Sequence, residues 1–214
     1  MEKKWVLILV GIFTFLFSAC GSVQNTALVI EDPVTLPDGY EFVEASSYSY
    51  AVGMAHSVST TEYCKLPGLK PVYACESGSV QEEISIPDGY TFLSASTLAY
   101  METLEHTEYY VQQDGTNKVF LIFMGKIERE LNIPEGYTFA AASSKGNFFE
   151  NTTLYCKKNE TQNVLICTEE GVIGDEVPIP EGYTFAGVSS HGVTLDLITY
   201  YCKNNETGVV YTCQ

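Results

Sequence analysis

Six cysteines of this chain fall into three pairs of identical spacing: Cys64 and Cys75, Cys156 and Cys167, and Cys202 and Cys213 are each eleven residues apart. Cysteines so placed either ligate a metal or form disulfides. A zinc site takes ligand pairs roughly two to four residues apart with further Cys or His ligands, and none accompany these pairs. The spacing therefore predicts three local disulfides, as suits an exported chain. Each pair flanks polar turn material such as "KKNETQN", so each bridge staples a hairpin. In a hairpin centred on Thr161 and Gln162, Cys156 and Cys167 face each other and come within bonding reach.

The remaining residues with chemical potential point away from catalysis. His191 sits in "SSHG" where the preceding copy of a repeat has Lys145 in "SSKG", a tolerant loop position. His56 and His106 each follow a repeated proline by nineteen residues and read as solvent-facing loop histidines. The pairs Ser46-Ser47, Ser96-Thr97, Ser143-Ser144 and Ser189-Ser190 recur, whereas nucleophilic catalysis needs a single serine activated by a single base. Hydrogen bonding at strand edges or turns explains four occurrences better. The acidic pairs Glu82-Glu83 and Glu169-Glu170 lie between copies as solvated linker charge. No phosphate loop, H-E-x-x-H or EF-hand pattern is present. Asn151, Asn159 and Asn205 each open an N-x-Thr sequon. The expectation is a protein with no catalytic residues, no metal and no cofactor.

The elements that position these residues are repeated. "LPDGYEF", "IPDGYTF" and two copies of "IPEGYTF" begin around Pro37, Pro87, Pro134 and Pro180, which lie 50, 47 and 46 residues apart. Such a period signals an array of equivalent supersecondary units. In each copy Pro-Asp/Glu-Gly suits a type I turn, with Pro at its second position and Gly at its fourth. The Tyr and Phe that follow stand two apart, hence on one face of a strand. Further strands end near Tyr-Cys and near the second Cys, and a short alternating strand such as "KIERELNI" precedes each proline, so that each copy owns its leading strand. Only Leu98 to Tyr109 reads as a turn or two of helix. The fold class is all-β: four tandem repeats of about 47 residues with disulfide-stapled antiparallel hairpins. They form either a four-bladed propeller-like array or a row of small β modules. The second copy has Val111 and Ile122, also eleven apart, in place of cysteines, so the bridge position is apolar.

The N-terminus reads as a secretory signal, with Lys3 and Lys4 ahead of an apolar run from Trp5 to Phe17. "FSAC" followed by Gly21 and Ser22 resembles the lipobox of bacterial lipoprotein precursors, with Phe17 where that family usually has Leu. The resemblance covers only these first residues. It implies that Cys20 is lipidated on sulfur and becomes the new N-terminus; the residues alone also fit ordinary cleavage after Gly21. The organisation expected is a signal peptide over 1–19, a lipidated N-terminus and linker over 20–29, and repeats over 30–79, 80–126, 127–172 and 173–214.

The formal net charge is −16, and without Glu2, Lys3 and Lys4 the counts are 9 Lys+Arg against 26 Asp+Glu, or −17. A chain this acidic repels nucleic acid and attracts cationic partners. Between the Ser-Ser pair and the Tyr-Cys strand the copies diverge in length and composition, where a repeated frame usually builds its binding surface. These segments carry Tyr48, Tyr50, Met54, Tyr100, Met101, Phe148 and Phe149; the same side chains also suit a core. The reading is a lipid-anchored, exported binding or interaction protein held at the bacterial cell envelope or surface. The alternative is an inhibitor of a cationic enzyme such as lysozyme, since the Tyr-Cys strands resemble those of lysozyme-inhibiting lipoproteins.

Overall fold

The computed structural model describes residues 28–52, 55–100, 104–144, 152–191 and 197–214. Its described residues form sixteen strands. After β1 (Ile30–Pro33), blade 1 contains β2 (Glu41–Val52), β3 (Ala55–Lys65), β4 (Val72–Glu76) and β5 (Ser79–Glu83). Blade 2 contains β6 (Tyr90–Tyr100), β7 (Leu104–Gln113), β8 (Val119–Phe123) and β9 (Lys126–Glu130). Blade 3 contains β10 (Tyr137–Ser144), β11 (Thr152–Lys158), β12 (Val164–Cys167) and β13 (Ile173–Glu176). Blade 4 contains β14 (Tyr183–His191), β15 (Leu197–Asn204) and β16 (Val210–Cys213), with β1 paired antiparallel to β16 as its outer strand. All four sheets are antiparallel, and their inner strands β2, β6, β10 and β14 pack on one another in a closed cycle. Of the two arrangements, the propeller-like ring is the one formed.

Sequence repeat and blade are out of phase by one strand. The strand leading each copy hydrogen-bonds to the sheet of the copy before it, and β1 crosses back to complete blade 4. The physical reason is closure: a ring whose first strand completes its last sheet turns a loose end into a hydrogen-bonded edge. The four equivalent outer contacts, Val34 to Val210, Ile84 to Val72, Leu131 to Val119 and Val177 to Val164, all have N···O distances of 2.8 Å.

The PDG/PEG turns differ from the type I expectation. Tyr40, Tyr90, Tyr137 and Tyr183 donate their amides to the carbonyls of Pro37, Pro87, Pro134 and Pro180, which makes proline the first residue and glycine the third. The glycines have φ of +82°, +85°, +84° and +83°. Positive φ at the third position defines a type II turn, which demands glycine there. The described residues of the stretch from Leu98 to Tyr109 are likewise strand, not helix: they belong to β6 and β7, paired from Leu98↔His106 to Tyr100↔Leu104. Cross-strand pairing overrides the local preference of a short Glu- and Leu-containing segment.

All three disulfides form, Cys64–Cys75, Cys156–Cys167 and Cys202–Cys213, with Cα separations of 6.1, 5.9 and 6.2 Å. Their register differs from face-to-face pairing. Cys156 stands opposite Leu165, and Cys167 opposite Leu154, so the cysteines are diagonal neighbours on one face of the sheet. Val111 and Ile122 occupy the same diagonal in blade 2, opposite Phe120 and Tyr109, and both are fully buried.

The ring is held by an aromatic contact used four times. Phe92 packs on Tyr63, Phe139 on Tyr110, Phe185 on Tyr155 and Phe42 on Tyr201, with centroids 5.4, 5.4, 6.1 and 5.1 Å apart. Each pair joins the Phe of one copy's opening motif to the buried Tyr beside the bridge position of the preceding blade. Such pairs contribute about 0.5–1.5 kcal/mol each beyond their buried area. The opening Tyr stays within its own blade: Tyr40 meets Tyr73, Tyr90 meets Phe120 and Tyr183 meets Tyr211 edge to face. A bulge after the Phe in every inner strand, as between Phe42 and Glu44, re-aims the residues that follow toward the ring centre.

Candidate functional site

Residues at adjacent places in the repeat meet across blades on the inner strands. Ser46 bonds Thr97 at 2.7 Å, Ser96 bonds Ser144 at 2.6 Å, and the Ser190 hydroxyl donates to the Ser144 carbonyl. The repeated serines thus form a buried hydroxyl layer between blades, and their partners are other hydroxyls or backbone, not a histidine base. Because these contacts advance together along neighbouring strands, the inner strands run in one direction, and the C-terminal ends of β2, β6, β10 and β14 lie together at one end of the ring.

Among the residues expected to form a binding surface, Tyr48 is half-buried on β2 opposite Ser59. Tyr50 and Tyr100 lie on β2 and β6 near the hairpin turns, and their side chains fall outside the described part. Cys20, Met54, Met101, Phe148 and Phe149 lie outside the described residues. The histidines are in strands, not loops. His56 pairs with Ala51 across β3 and β2, the His106 ring packs 5.7 Å from Phe123, and His191 ends β14. Glu82 and Glu83 lie on the exposed outer strand β5, while Glu169 pairs with Arg129.

One blade junction differs from the other three. The residue before each Tyr-Cys or Tyr-Val pair is Tyr109, Leu154 or Tyr200 in blades 2, 3 and 4. These side chains fill the space against the preceding blade's Tyr63, Tyr110 and Tyr155. In blade 1 the same position is Glu62, facing blade 4. The apolar cluster at this seam is the smallest of the four, with Ala45, Tyr201 and Val210 as its buried members. Where the other junctions are packed, the seam opens into a cleft of about 470 Å³.

The cleft is acidic and hydroxyl-lined. Glu31 and Asp32 of β1, Glu62 of β3 and Glu76 at the end of β4 line it, with Ser47, Thr60, Ser189, Thr199 and His191 between them, and none of the described lining residues is Lys or Arg. Burial pushes the Glu62 carboxyl above its ordinary range; its own backbone amide draws it partly back, and the charge of Glu76 raises it further. Burial lowers the pKa of His191, whose Nδ1 is enclosed with no hydrogen-bond partner among the described residues, so the imidazole adds no charge at neutral pH. The carboxylates are spread around the cleft: among the described residues no three His, Cys, Asp or Glu side chains gather as a metal-binding group. A distributed acidic wall suits an extended organic cation better than a metal ion, which needs converging ligands.

A second acid lies deeper. Glu44 is fully buried at the ring centre, where its Oε1 accepts from the amides of Ala45 at 3.0 Å and Val188 at 2.9 Å and its Oε2 accepts from Ser94 Oγ at 3.0 Å. Both acids escape a reading of motifs. Alignment on the prolines exposes them: seven residues on, the copies read Glu44, Ser94, Ala141 and Gly187, and before Tyr-Cys or Tyr-Val they read Glu62, Tyr109, Leu154 and Tyr200.

No protein-family model matches the chain, and no curated protein matches it in sequence. It is similar to a solved structure of a protein of unknown function from Bacteroides caccae, with 12% identity over 86% of this chain and 70% of that one and a TM-score of 0.36.

Proposed function

We propose that this chain is a lipid-anchored, exported binding protein without catalytic activity, and that its seam cleft receives a cationic group of a partner protein. The observation that carries the reading is the replacement of an apolar filler by Glu62, which opens a four-carboxylate cleft at the one junction where it occurs. A lysine or arginine side chain entering there gains charge-assisted hydrogen bonds in a partly desolvated setting. The same feature favours a second reading, inhibition of a cationic enzyme such as lysozyme, if the captured side chain belongs to that enzyme's active face.

Titration with lysozyme as a cationic probe tests the first reading. Binding should weaken steeply with salt and drop about tenfold in Glu62→Gln, in line with loss of roughly 1.4 kcal/mol from one charge-assisted contact. It should also weaken as the pH falls through the raised pKa of Glu62, because protonation removes the charge. Salt-independent binding, or an unchanged affinity in Glu62→Gln, counts against the cleft. Loss of lysozyme activity at stoichiometric ratios selects the second reading.

A further inference from the structure

At the junction of blades 2 and 3 the chain carries a guanidinium of its own. Arg129 of β9 donates through Nη1 and Nη2 to the two carboxylate oxygens of Glu169, in the turn that follows β12. Near the pair lies Glu108 of β7, a buried acid whose Oε2 accepts from the Tyr110 hydroxyl at 3.0 Å. Burial pushes the Glu108 carboxyl above its ordinary range, and the Tyr110 hydroxyl and the charge of Arg129 draw it partly back. One arginine thus answers acids from both blades, through a planar fork of donors that a lysine ammonium lacks.

Each of these residues has a counterpart in the seam cleft. Five residues before the repeated prolines stand Asp32, Glu82, Arg129 and Asp175, of which Arg129 alone is basic. The registers of the outer strands match: β1 sets Ile30 opposite Cys213 and Pro33 opposite Tyr211, as β9 sets Ile127 opposite Ile122 and Glu130 opposite Phe120. Asp32 therefore holds in the blade 4–blade 1 seam the place that Arg129 holds between blades 2 and 3. Counted from the bridge positions, Tyr201 matches Tyr110, Thr199 matches Glu108 and Ser77 matches Glu169. All four counterparts, Asp32, Ser77, Thr199 and Tyr201, line the cleft. The cleft thus corresponds to the seam that a resident arginine bridges elsewhere in the ring, with an acid in the place of that arginine.

We propose that the cleft is an arginine receptor, which takes a partner's guanidinium group where Arg129 supplies one internally between blades 2 and 3. This rests on the reading of the cleft as a cation site and narrows it from cationic side chains in general to guanidinium. The acids stand on both sides of the seam, Glu31 and Asp32 on β1 of blade 4 and Glu62 and Glu76 on β3 and β4 of blade 1. A planar group with five N–H donors addresses both sides at once, whereas an ammonium is a compact point of charge.

Two end-blocked peptides, Gly-Gly-Arg-Gly-Gly and Gly-Gly-Lys-Gly-Gly, titrated into the full chain at low salt and followed by amide chemical shifts, test this. The arginine peptide should bind about tenfold more tightly than the lysine peptide, with shifts centred on the amides of Glu62, Thr199 and Thr212. Asp32→Arg, which places a guanidinium on β1 where β9 has Arg129, should abolish binding of both peptides. Undiminished binding in that variant overturns the correspondence with Arg129. Equal affinities for the two peptides, both lowered in Glu62→Gln, overturn the arginine receptor and leave the cation site standing. An absence of shifts, or affinities that Glu62→Gln leaves unchanged, overturns the cation site and the arginine receptor together.

Discussion

Glu62→Leu should make the protein more stable and less able to bind a cation. The other junctions show what this position does when filled: the equivalent Leu154 is fully buried, and Tyr109 and Tyr200 pack on their neighbours. Complete burial of a leucine stabilises by about 1.5–3 kcal/mol; the seam cleft is open on one side, so about 1–2 kcal/mol is the reasonable share. Removing a carboxylate whose ionised form is disfavoured by burial acts in the same direction. At about 2–4 °C per kcal/mol for a chain of this size, Tm rises by about 2–8 °C. Thermal unfolding and titration with a cationic protein, run on the same preparation, read both effects. A fall in Tm would show that Glu62 is structurally required, and unchanged affinity would show that the cleft is not the site; either result refutes the reasoning. The opposed changes are what a site that trades stability for function produces.

The double variant Val111→Cys with Ile122→Cys should oxidise spontaneously, because these residues hold the diagonal that the three native disulfides span at Cα separations of 5.9–6.2 Å; two additional thiols found by alkylation and mass spectrometry would contradict that register. Gly187→Ala should cost about 2–4 kcal/mol in urea unfolding, from overpacking and weakened hydrogen bonds to Glu44. The cost should fall below about 1 kcal/mol in a Glu44→Ala background, since the three atoms nearest the added Cβ all belong to Glu44; strict additivity would disprove the contact. Palmitate labelling of cells should mark the parent and not Cys20→Ser, and equal labelling would exclude lipidation at that residue.

Much of the architecture was legible before any coordinates. Period-2 patterning, the fourfold PDG/PEG motif and the spacing of eleven between cysteines identify short antiparallel hairpins repeated four times, because each is a local property of the backbone. Local reading went astray where two geometries share a composition. Pro-Asp/Glu-Gly serves type I and type II turns alike, and only the glycine φ near +83° distinguishes them. Cysteines eleven apart fit face-to-face and diagonal registers, which differ by where the turn places its residues. The short stretch beginning at Leu98 has helical residues but a strand partner.

By itself the sequence determined the unit: its strands, its bridges and the apolar substitute for a bridge at Val111 and Ile122. Closure belonged to the tertiary structure, since β1 and β16 are almost the whole chain apart, and no local preference announces that they pair. Closure in turn decided which residues matter. Glu62 and Glu44 are ordinary acids within their own strands; they become exceptional only when a neighbouring blade removes water from one and surrounds the other with three hydrogen-bond donors. Burial and partnership are properties of the ring, so the seam cleft and the central carboxyl emerge only once its first and last blades meet.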